Sequence, residues 1–263
     1  MVPASAGWGV ALQAIGRRVG GVGDWLGSCL GHSEQISVRW SILARRLVWN
    51  PPGFSAKSRK KIDLNSLIAM KPAFSICVYC GSKPGLNHAF SAAAAYVGTW
   101  IGKHGGQLVY GGGKGGLMGI VADAALQAGA HVVGVMPKAL VEKEWANTNC
   151  SELHIVETMH DRKRMMAERA DAFLALPGGI GTFEELFEVW TWRQLGYHDK
   201  PIGILNIEGY YDQLLSFLTT SVEQQFMGNW QMSLIHSDSQ PTPLLRLLVQ
   251  SAGLTTTPRL DQI

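Results

Sequence analysis

The amino-acid sequence predicts an α/β fold: a three-layer domain in which a parallel sheet is covered by helices on both faces. Five short apolar runs alternate with longer helical patterns between residues 75 and 225. Uninterrupted apolar strands are typical of parallel sheets, because the crossover helices bury both faces of each strand. Three of these runs also end in glycine-rich turns that lead into helices, which favours a Rossmann-like domain with a ligand at one edge of the sheet.

The first three predicted strands are residues 76–79, 108–110 and 132–136, and Pro137 stops the third. An alanine-rich helix is predicted over 89–103, between the first two strands. Another helix is predicted between the second and third strands, because apolar residues recur there on one face. These residues are Ile120, Val121, Ala124, Ala125 and Ala128.

The fourth and fifth predicted strands are residues 172–176, which Pro177 stops, and 201–205. An amphipathic helix is predicted over 210–225. The tail after about Ser237 is rich in proline and threonine, so we expect a loop there with a short leucine-rich helix at 244–249.

Residues 1–70 differ in pattern from the rest of the chain. Tryptophans are scattered there without a period, and Asn50-Pro51-Pro52-Gly53 breaks any helix. Three interpretations remain open: a start codon placed too far upstream with Met70 as the true start, a poorly ordered extension, or an arginine-rich and acid-poor targeting peptide. We therefore treat 1–70 as an N-terminal extension and 71–263 as one Rossmann-like domain.

The net charge of +3 is unevenly distributed. Residues 1–70 hold nine Lys and Arg against three acids, whereas 71–263 hold fourteen against seventeen and carry a net −3. The domain therefore gives no reason to expect a nucleic-acid partner. No apolar run reaches the ~18 residues that span a bilayer, so we expect no membrane partner. The four cysteines show no disulfide pattern, and we expect a cytoplasmic protein.

Glycine-rich turns follow three strands, at Cys80-Gly81-Ser82, at 111–119 and at 177–182. At the carboxyl edge of a parallel sheet, glycine lets the backbone approach a phosphate and a helix N-terminus adds positive charge. The turn at 111–119 lacks the Gly-Lys-Ser/Thr spacing of a P-loop. It also lacks the acid of a dinucleotide site, because Met136-Pro137-Lys138 stands at that position. A ligand with a single phosphate remains open, as does the interpretation that these are only tight turns.

Glu185 has two compatible interpretations. The segment 182–185 opens an apolar-periodic helix and matches a capping box with Thr182 as the N-cap, which the spacing alone favours. The same position also sets a carboxylate beside a phosphate-type turn. The cluster His160-Asp161-Arg162-Lys163-Arg164 is likewise either a solvated basic helix start or a charge clamp for a phosphate.

Two further features favour structural roles. Cys77 and Cys80 have the spacing of a metal or redox pair, but no second Cys/His pair has ligand spacing, so we expect no metal. Trp190 and Trp192 are expected to be core or subunit contacts rather than platforms for a base.

Three motifs occur in order along the chain: Gly-Gly-Gly-x-x-Gly-Leu-Met-Gly at 111–119, Met-His-x-Arg-Lys at 159–163 and Pro-Gly-Gly-x-Gly-Thr-x-x-Glu at 177–185. Together they resemble the LOG ("Lonely Guy") family of cytokinin riboside 5′-monophosphate phosphoribohydrolases, which also act on AMP. The likeness spans about residues 75–231. The departures are small and fall at Lys114-Gly115 and Phe183, positions that the family varies.

The resemblance implies a Rossmann-like homodimer that needs no cofactor. Its substrate is a nucleoside 5′-monophosphate, which it hydrolyses at the N-glycosidic bond to the free base and ribose 5-phosphate. Arg162 and Glu185 are implied to be the catalytic pair, and Glu144 a substrate-binding acid. The resemblance and the glycine turns together predict these further substrate-binding residues: Ser82, Gly111, Gly112, Gly113, Met118, Gly119, Lys163, Pro177, Gly178, Gly179, Ile180, Gly181, Thr182, Glu184 and Thr191.

The sequence argues against two other functions. Members of this family often carry the label lysine decarboxylase, but a pyridoxal-phosphate enzyme needs a Schiff-base lysine and an acid facing the pyridine nitrogen, for which the sequence offers little. A non-catalytic carrier of a nucleotide or cofactor is the second hypothesis, because fold alone does not determine function. The pair of Arg162 and Glu185 argues against it, since a carrier needs no such pair. The sequence leaves the preferred base open between adenine and a prenylated adenine.

Overall fold

The protein is described by a computed structural model that covers residues 72–141 and 146–254. The interpretations of residues 1–70 therefore lie outside the described residues and stay predictions. The same holds for Glu144, which falls in the gap between the two ranges.

The described chain alternates strands with helices. The strands are β1 (Ser75–Tyr79), β2 (Gln107–Tyr110), β3 (His131–Pro137), β4 (Glu152–Val156), β5 (Ala172–Ala175), β6 (Ile202–Leu205) and β7 (Ile235–Asp238). The helices are α1 (His88–Lys103), α2 (Gly116–Gln127), α3 (Lys138–Val141), α4 (Met159–Glu168), α5 (Ile180–Gln194), α6 (Asp212–Glu223), α7 (Asn229–Met232) and α8 (Pro241–Ser251). A 3-10 turn, Ile207–Gly209, lies between β6 and α6.

The seven strands form one sheet in the order β4-β3-β2-β1-β5-β6-β7. Every neighbouring pair is parallel. All carboxyl ends therefore lie at one edge, and β1 sits at the centre between β2 and β5. This confirms the predicted α/β class.

The sheet separates two apolar layers. Alternate residues of β1 face opposite sides, so that Ile76 and Val78 join one layer while Cys77 and Tyr79 join the other. The first layer is packed by α1, α2 and α8, and the second by α4, α5 and α6. Among the described helices, none has both the length and the apolar composition required to cross a membrane.

The five predicted strands are confirmed to within about one residue at each end, but β4 and β7 were missed. Both lie at the edges of the sheet and are only partly buried, so their sequences carry polar residues and lack the apolar run of a central strand. The predicted face of α2 needs a correction, because Ile120 and Ala124 are only partly buried. The tail helix was predicted too short and extends over Pro241–Ser251.

The helices α1 and α2 approach each other closely where they cover the sheet. A Cβ atom added at Gly98 of α1 would lie 2.3 Å from the carbonyl oxygen of Val121 and 2.9 Å from the backbone nitrogen of Ala125. Both atoms belong to the backbone of α2, which cannot move without disturbing the core below it. Gly98 is thus required by packing rather than by backbone conformation.

We expect Gly98→Ala to destabilise the fold by about 1–3 kcal/mol, because the new methyl group overpacks the contact between α1 and α2. Helix propensity alone gives the opposite sign, since alanine is favoured over glycine inside a helix by about 1 kcal/mol. Denaturant unfolding of both proteins measures the difference. A more stable Gly98→Ala variant would contradict the close approach.

Candidate active site

Three glycine turns meet at the carboxyl edge of the sheet. The Gly81 N–H donates to the carbonyl oxygen of Pro177 at 3.0 Å, and the Leu117 N–H donates to the carbonyl oxygen of Gly81 at 3.0 Å. The turn after β1 is therefore held between the turn that precedes α2 and the turn that precedes α5. This confirms that the three turns lie together at one edge.

The helix α5 begins earlier than the capping-box interpretation predicted. Its N-cap is Gly179, which makes no side-chain capping bond, and Thr182 lies inside the first turn. The interpretation of Thr182 as the N-cap and Glu185 as the closing residue of a capping box is therefore wrong. The first N–H groups of an α-helix have no acceptor within the helix, and here they lie beside Gly179 and Gly181, where an added Cβ would meet no atom within 4 Å. The edge is open at this point.

Arg162 is fixed beside these turns by α4. The helix is capped by Thr158, whose Oγ1 accepts from the Asp161 N–H at 3.0 Å. One turn in, the Arg162 Nε donates to the carbonyl oxygen of Val135 at 3.1 Å, and Nη2 donates to that of Gly111 at 3.3 Å. The guanidinium group is thus anchored to the carboxyl ends of β2 and β3.

The same guanidinium group forms an ion pair with Glu185 of α5. The distance from Nη1 of Arg162 to Oε1 of Glu185 is 3.3 Å, and the two side chains are only 9% and 12% exposed. Removing two charges from water is costly unless they are paired and hydrogen-bonded. The structure therefore brings together the two residues that the sequence predicted to be catalytic, and the anchored arginine fixes the position of the carboxylate.

Lys163 faces α5 as well, but it has different partners. Its Nζ lies 2.5 Å from Oε1 of Glu184 and 2.9 Å from Oε1 of Glu188. Partial burial opposes the charge, but the hydrogen bonds to these carboxylates outweigh it and raise the pKa of Lys163. Its ammonium group ties α4 to α5. The interpretation of the cluster as a solvated basic helix start holds for the exposed His160 and Arg164 but not for Arg162 and Lys163, which are buried.

The other predicted site residues, apart from those of the turn 177–182, fall into three groups. Ser82 is exposed and lines a depression of about 210 Å³ with Lys83, Phe90, Gly178 and Tyr210. Gly111, Gly112, Gly113, Met118 and Gly119 are buried beneath the edge and support it. Thr191 lies on α5 about 16 Å along the helix axis from Ile180, so the structure does not bring it to the glycine turns of its own chain.

Two residues at the edge were missed by the sequence interpretation. Tyr210 donates its hydroxyl to the carbonyl oxygen of Gly178, and buried Tyr211 donates to that of Leu176 at 2.6 Å. A positional signal was available for both. They follow the carboxyl end of β6, and segments after such strand ends lie at the ligand edge.

The structural roles expected for the cysteines and tryptophans are consistent with the geometry. Burial raises the pKa of the Cys77 and Cys80 thiols, which keeps them protonated and unreactive. Within 72–141 and 146–254, no group of three or more potential ligands has the geometry for a metal ion. Trp190 is buried and donates its Nε1–H to the carbonyl oxygen of Gln231, as a core residue does.

Comparison with known proteins identifies relatives over most of the described chain. A family model described as "Possible lysine decarboxylase" matches residues 118–248. The chain is 47% identical over 173 residues to the cytokinin riboside 5′-monophosphate phosphoribohydrolase LOG1 of Arabidopsis thaliana. The matched residues are 66% of this chain and 81% of the relative. It is 46% identical over 198 residues to the probable cytokinin riboside 5′-monophosphate phosphoribohydrolase LOG4 of Oryza sativa subsp. japonica. The matched residues are 75% of this chain and 86% of the relative.

Solved structures with the same fold are more distant in sequence. The Moco carrier protein from Chlamydomonas reinhardtii has a TM-score of 0.52 at 19% identity, over 70% of this chain and 98% of that one. The molybdenum cofactor binding protein from Rippkaea orientalis has a TM-score of 0.51 at 19% identity, over 68% of this chain and 96% of that one. At this level of identity the likeness concerns the fold alone.

The contacts of Lys163 generate a stability prediction with a matched control. We expect Glu188→Gln to cost about 1–3 kcal/mol of unfolding free energy at pH 7, because a mostly buried ammonium group loses one anionic partner. Glu184→Gln, one turn earlier on the same helix, should cost less than about 1 kcal/mol, since Glu184 is half-exposed. Denaturant unfolding measures both values.

The pH dependence of this difference follows from the direction of the pKa shift. Because the pKa of Lys163 is raised above its ordinary 10.5, its ammonium group stays charged up to that value, and the ion pairs are lost as pH rises through the folded-state pKa. Equal costs for the two variants at pH 7 would refute the proposed role of the buried pair.

Proposed function

The chain belongs to the LOG family of cytokinin riboside 5′-monophosphate phosphoribohydrolases, and from that premise we propose that it hydrolyses the N-glycosidic bond of a nucleoside 5′-monophosphate. The products are the free base and ribose 5-phosphate. The observation that carries the proposal is the buried ion pair of Arg162 and Glu185 beside open glycine turns. AMP and cytokinin riboside 5′-monophosphates are the substrates that we propose.

The 5′-phosphate binds at the turns 111–119 and 177–182 in this proposal. The N-terminus of α5 is open there, and its N–H groups together with the helix dipole favour a bound anion. Ser82 lines the adjoining depression and contributes a hydroxyl group. The glycines at 111–113 and Gly119 support this surface from below.

Cleavage breaks the bond between C1′ of the ribose and the nitrogen of the base, and a water molecule adds to C1′. The ribose passes through a state with oxocarbenium character, as in other glycoside hydrolyses. Glu185 stabilises that cation or takes a proton from the water, and the proton that the water gives up replaces the C1′ bond on the nitrogen of the departing base. Arg162 holds Glu185 in place and stabilises negative charge that develops nearby. Glu144 remains a predicted substrate-binding residue.

A decarboxylase activity is not part of this proposal, although the family model carries that description. Lys163 follows Arg162 on α4, and its ammonium group is held by Glu184 and Glu188. A lysine that forms a Schiff base must instead lose its proton and reach a cofactor. The names of the relatives at 46–47% identity also support hydrolysis.

The alternative function is a carrier that binds a nucleotide or cofactor without cleaving it. The Moco carrier protein of Chlamydomonas reinhardtii and the molybdenum cofactor binding protein of Rippkaea orientalis share this fold. The edge of the sheet with its glycine turns suits either function. The buried ion pair supports the hydrolase, because a carrier has no use for a carboxylate held by an arginine beside the ligand.

We also propose a homodimer in the cytoplasm, without a nucleic-acid or membrane partner. Leu195 and Tyr197 are exposed apolar residues at the end of α5, and Thr191 lies four residues before Leu195 on the same helix face. A second copy of the chain that covers this face would bury the apolar side chains. It would also bring Thr191 near the site of that second copy. The free cysteines of the described chain are consistent with a reducing compartment.

We expect Glu185→Gln to lower kcat for AMP cleavage by at least about 100-fold, because glutamine can neither accept the proton nor carry the negative charge. Binding of AMP should change little, since the amide oxygen can still accept from Arg162. Adenine release is followed by chromatography, and AMP binding by calorimetry. Glu168→Gln is the matched control, because it removes the carboxylate of the exposed Arg164–Glu168 pair on α4. An unchanged kcat in Glu185→Gln means that Glu185 is not catalytic.

The wild-type protein distinguishes the two functions in the same assay. Release of adenine from AMP, or of the base from isopentenyladenosine monophosphate, supports the hydrolase and identifies the preferred base. A nucleotide that stays bound but intact across the panel of monophosphates favours the carrier.

The dimer proposal predicts that wild-type protein sediments with twice the mass of one chain. Leu195→Glu should shift the equilibrium toward monomers, because it places a charge in an apolar contact. Leu247→Glu is the control, since Leu247 lies on α8 in the opposite layer. A monomeric wild-type protein, or equal effects of both substitutions, would refute the proposed contact.

A further inference from the structure

Tyr210 lies where the chain after β6 passes the glycine turn 177–182. It follows the 3-10 turn Ile207–Gly209, and its hydroxyl donates to the carbonyl oxygen of Gly178. Its ring packs edge-on against Phe90, with centroids 5.4 Å apart, and against Tyr211 at 5.0 Å. These contacts fix the ring, and the ring places the hydroxyl on Gly178.

The peptide that joins Gly178 to Gly179 lies between two glycines. Gly178 cannot carry a side chain, because an added Cβ would lie 2.1 Å from Oγ1 of Thr182. Gly179 borders open space instead. A peptide between two glycines can rotate as a unit at little cost, since neither residue has a Cβ atom that resists positive φ. An external contact is needed to hold one orientation.

The orientation matters because the carbonyl oxygen and the N–H of a trans peptide point in opposite directions. When the Gly178 carbonyl oxygen accepts from Tyr210, the Gly179 N–H points away from Tyr210. In the rotated orientation a carbonyl oxygen takes the place of that N–H and presents partial negative charge, which repels a phosphate.

We propose that Tyr210 is a positioning residue for phosphate binding, which holds the Gly178–Gly179 peptide with its N–H directed toward the ligand. This inference rests on the proposed function, since it assumes that the turn binds a phosphate. Tyr210 acts through the turn and does not touch the reacting atoms. Its neighbour Tyr211 holds the preceding segment through the carbonyl oxygen of Leu176.

The variant that tests the inference is Tyr210→Phe, which keeps the ring contacts with Phe90 and Tyr211 and removes only the hydroxyl. We expect KM for AMP and Kd for ribose 5-phosphate to rise about 3- to 10-fold, the range that the loss of one hydrogen bond supports. At saturating AMP, kcat should stay within about twofold, because bound substrate selects the productive orientation. The melting temperature should change little, since the hydroxyl is at a partly exposed position.

Tyr96→Phe is the matched control, because Tyr96 is similarly exposed and its hydroxyl pairs with Thr242 on α8 at 2.5 Å. We expect this control to leave KM, kcat and Kd unchanged. If Tyr210→Phe only destabilised the fold, the melting temperature would fall, and KM would not rise while kcat stayed constant.

A double-mutant cycle with Gly179→Ala tests the proposed mechanism itself. Gly179 has φ −102° and ψ −155°, an extended conformation that alanine can adopt. Rotation of the peptide would carry φ to about +80°, which is strongly disfavoured for alanine. Alanine at 179 therefore blocks the rotated orientation without help from Tyr210. In the Gly179→Ala background, we expect Tyr210→Phe to change Kd for ribose 5-phosphate by less than about twofold.

Each outcome decides the inference separately from the proposed function. If wild type cleaves AMP and Tyr210→Phe has the same KM and Kd, or loses kcat at an unchanged KM, Tyr210 does not position the turn. A full effect that persists in the Gly179→Ala background rejects peptide rotation as the cause. If wild type binds ribose 5-phosphate but cleaves no nucleotide, the hydrolase proposal fails and the Kd comparison still tests Tyr210. If wild type binds neither ligand, both proposals fail.

Discussion

The site depends on two backbone hydrogen bonds that hold Gly81 between Pro177 and Leu117. They join three turns that are distant in sequence, since Gly81 lies 36 residues before Leu117 and 96 residues before Pro177. Each turn leads directly from a strand of the sheet toward a helix. Because β1 is the central strand, its turn can touch both neighbours. The N-termini of α2 and α5 are thereby brought to the same edge, which concentrates their dipoles where the strands end. Side chains then add chemistry to a surface that the backbone has already formed.

Adjacent residues of α4 contribute in different ways to that surface. Arg162 reaches the ends of β2 and β3 and holds Glu185, whereas Lys163 turns toward Glu184 and Glu188 and joins two helices. Consecutive residues of a helix point about 100° apart, so neighbours in sequence reach different surroundings. The planar guanidinium group suits two carbonyls and a carboxylate at once, while the compact ammonium group suits two carboxylates. Lys163 thus maintains the spacing of α4 and α5, on which the contact between Arg162 and Glu185 depends.

The sequence predicted what depends on local pattern and missed what depends on distant partners. Central strands were recognisable because burial on both faces demands an apolar run, while β4 and β7 at the edges carry polar residues. Glu185 was assigned to the right edge, but the start of its helix was misplaced, because Gly179 caps α5 through its conformation and leaves no side-chain signal. The burial of Arg162 could not be foreseen, since its carbonyl acceptors belong to residues 27 and 51 positions away. The position of Tyr210 after β6 was a signal that it lies at the ligand edge, but its hydrogen bond to Gly178 becomes visible only when β6 is placed beside β5.

The ion pair of Arg162 and Glu185 is also the feature on which we base the proposal of hydrolysis rather than transport. A buried charge pair contributes little to stability, because desolvation offsets most of the attraction, and apolar residues of similar volume often serve stability better. The backbone of the turns alone can hold a phosphate, so a carrier gains nothing from the pair. A hydrolase gains a carboxylate at a fixed distance from a positive charge, in a site with little water to screen either. The cost of burying the pair is therefore most simply explained by the reaction at C1′ that we propose for it.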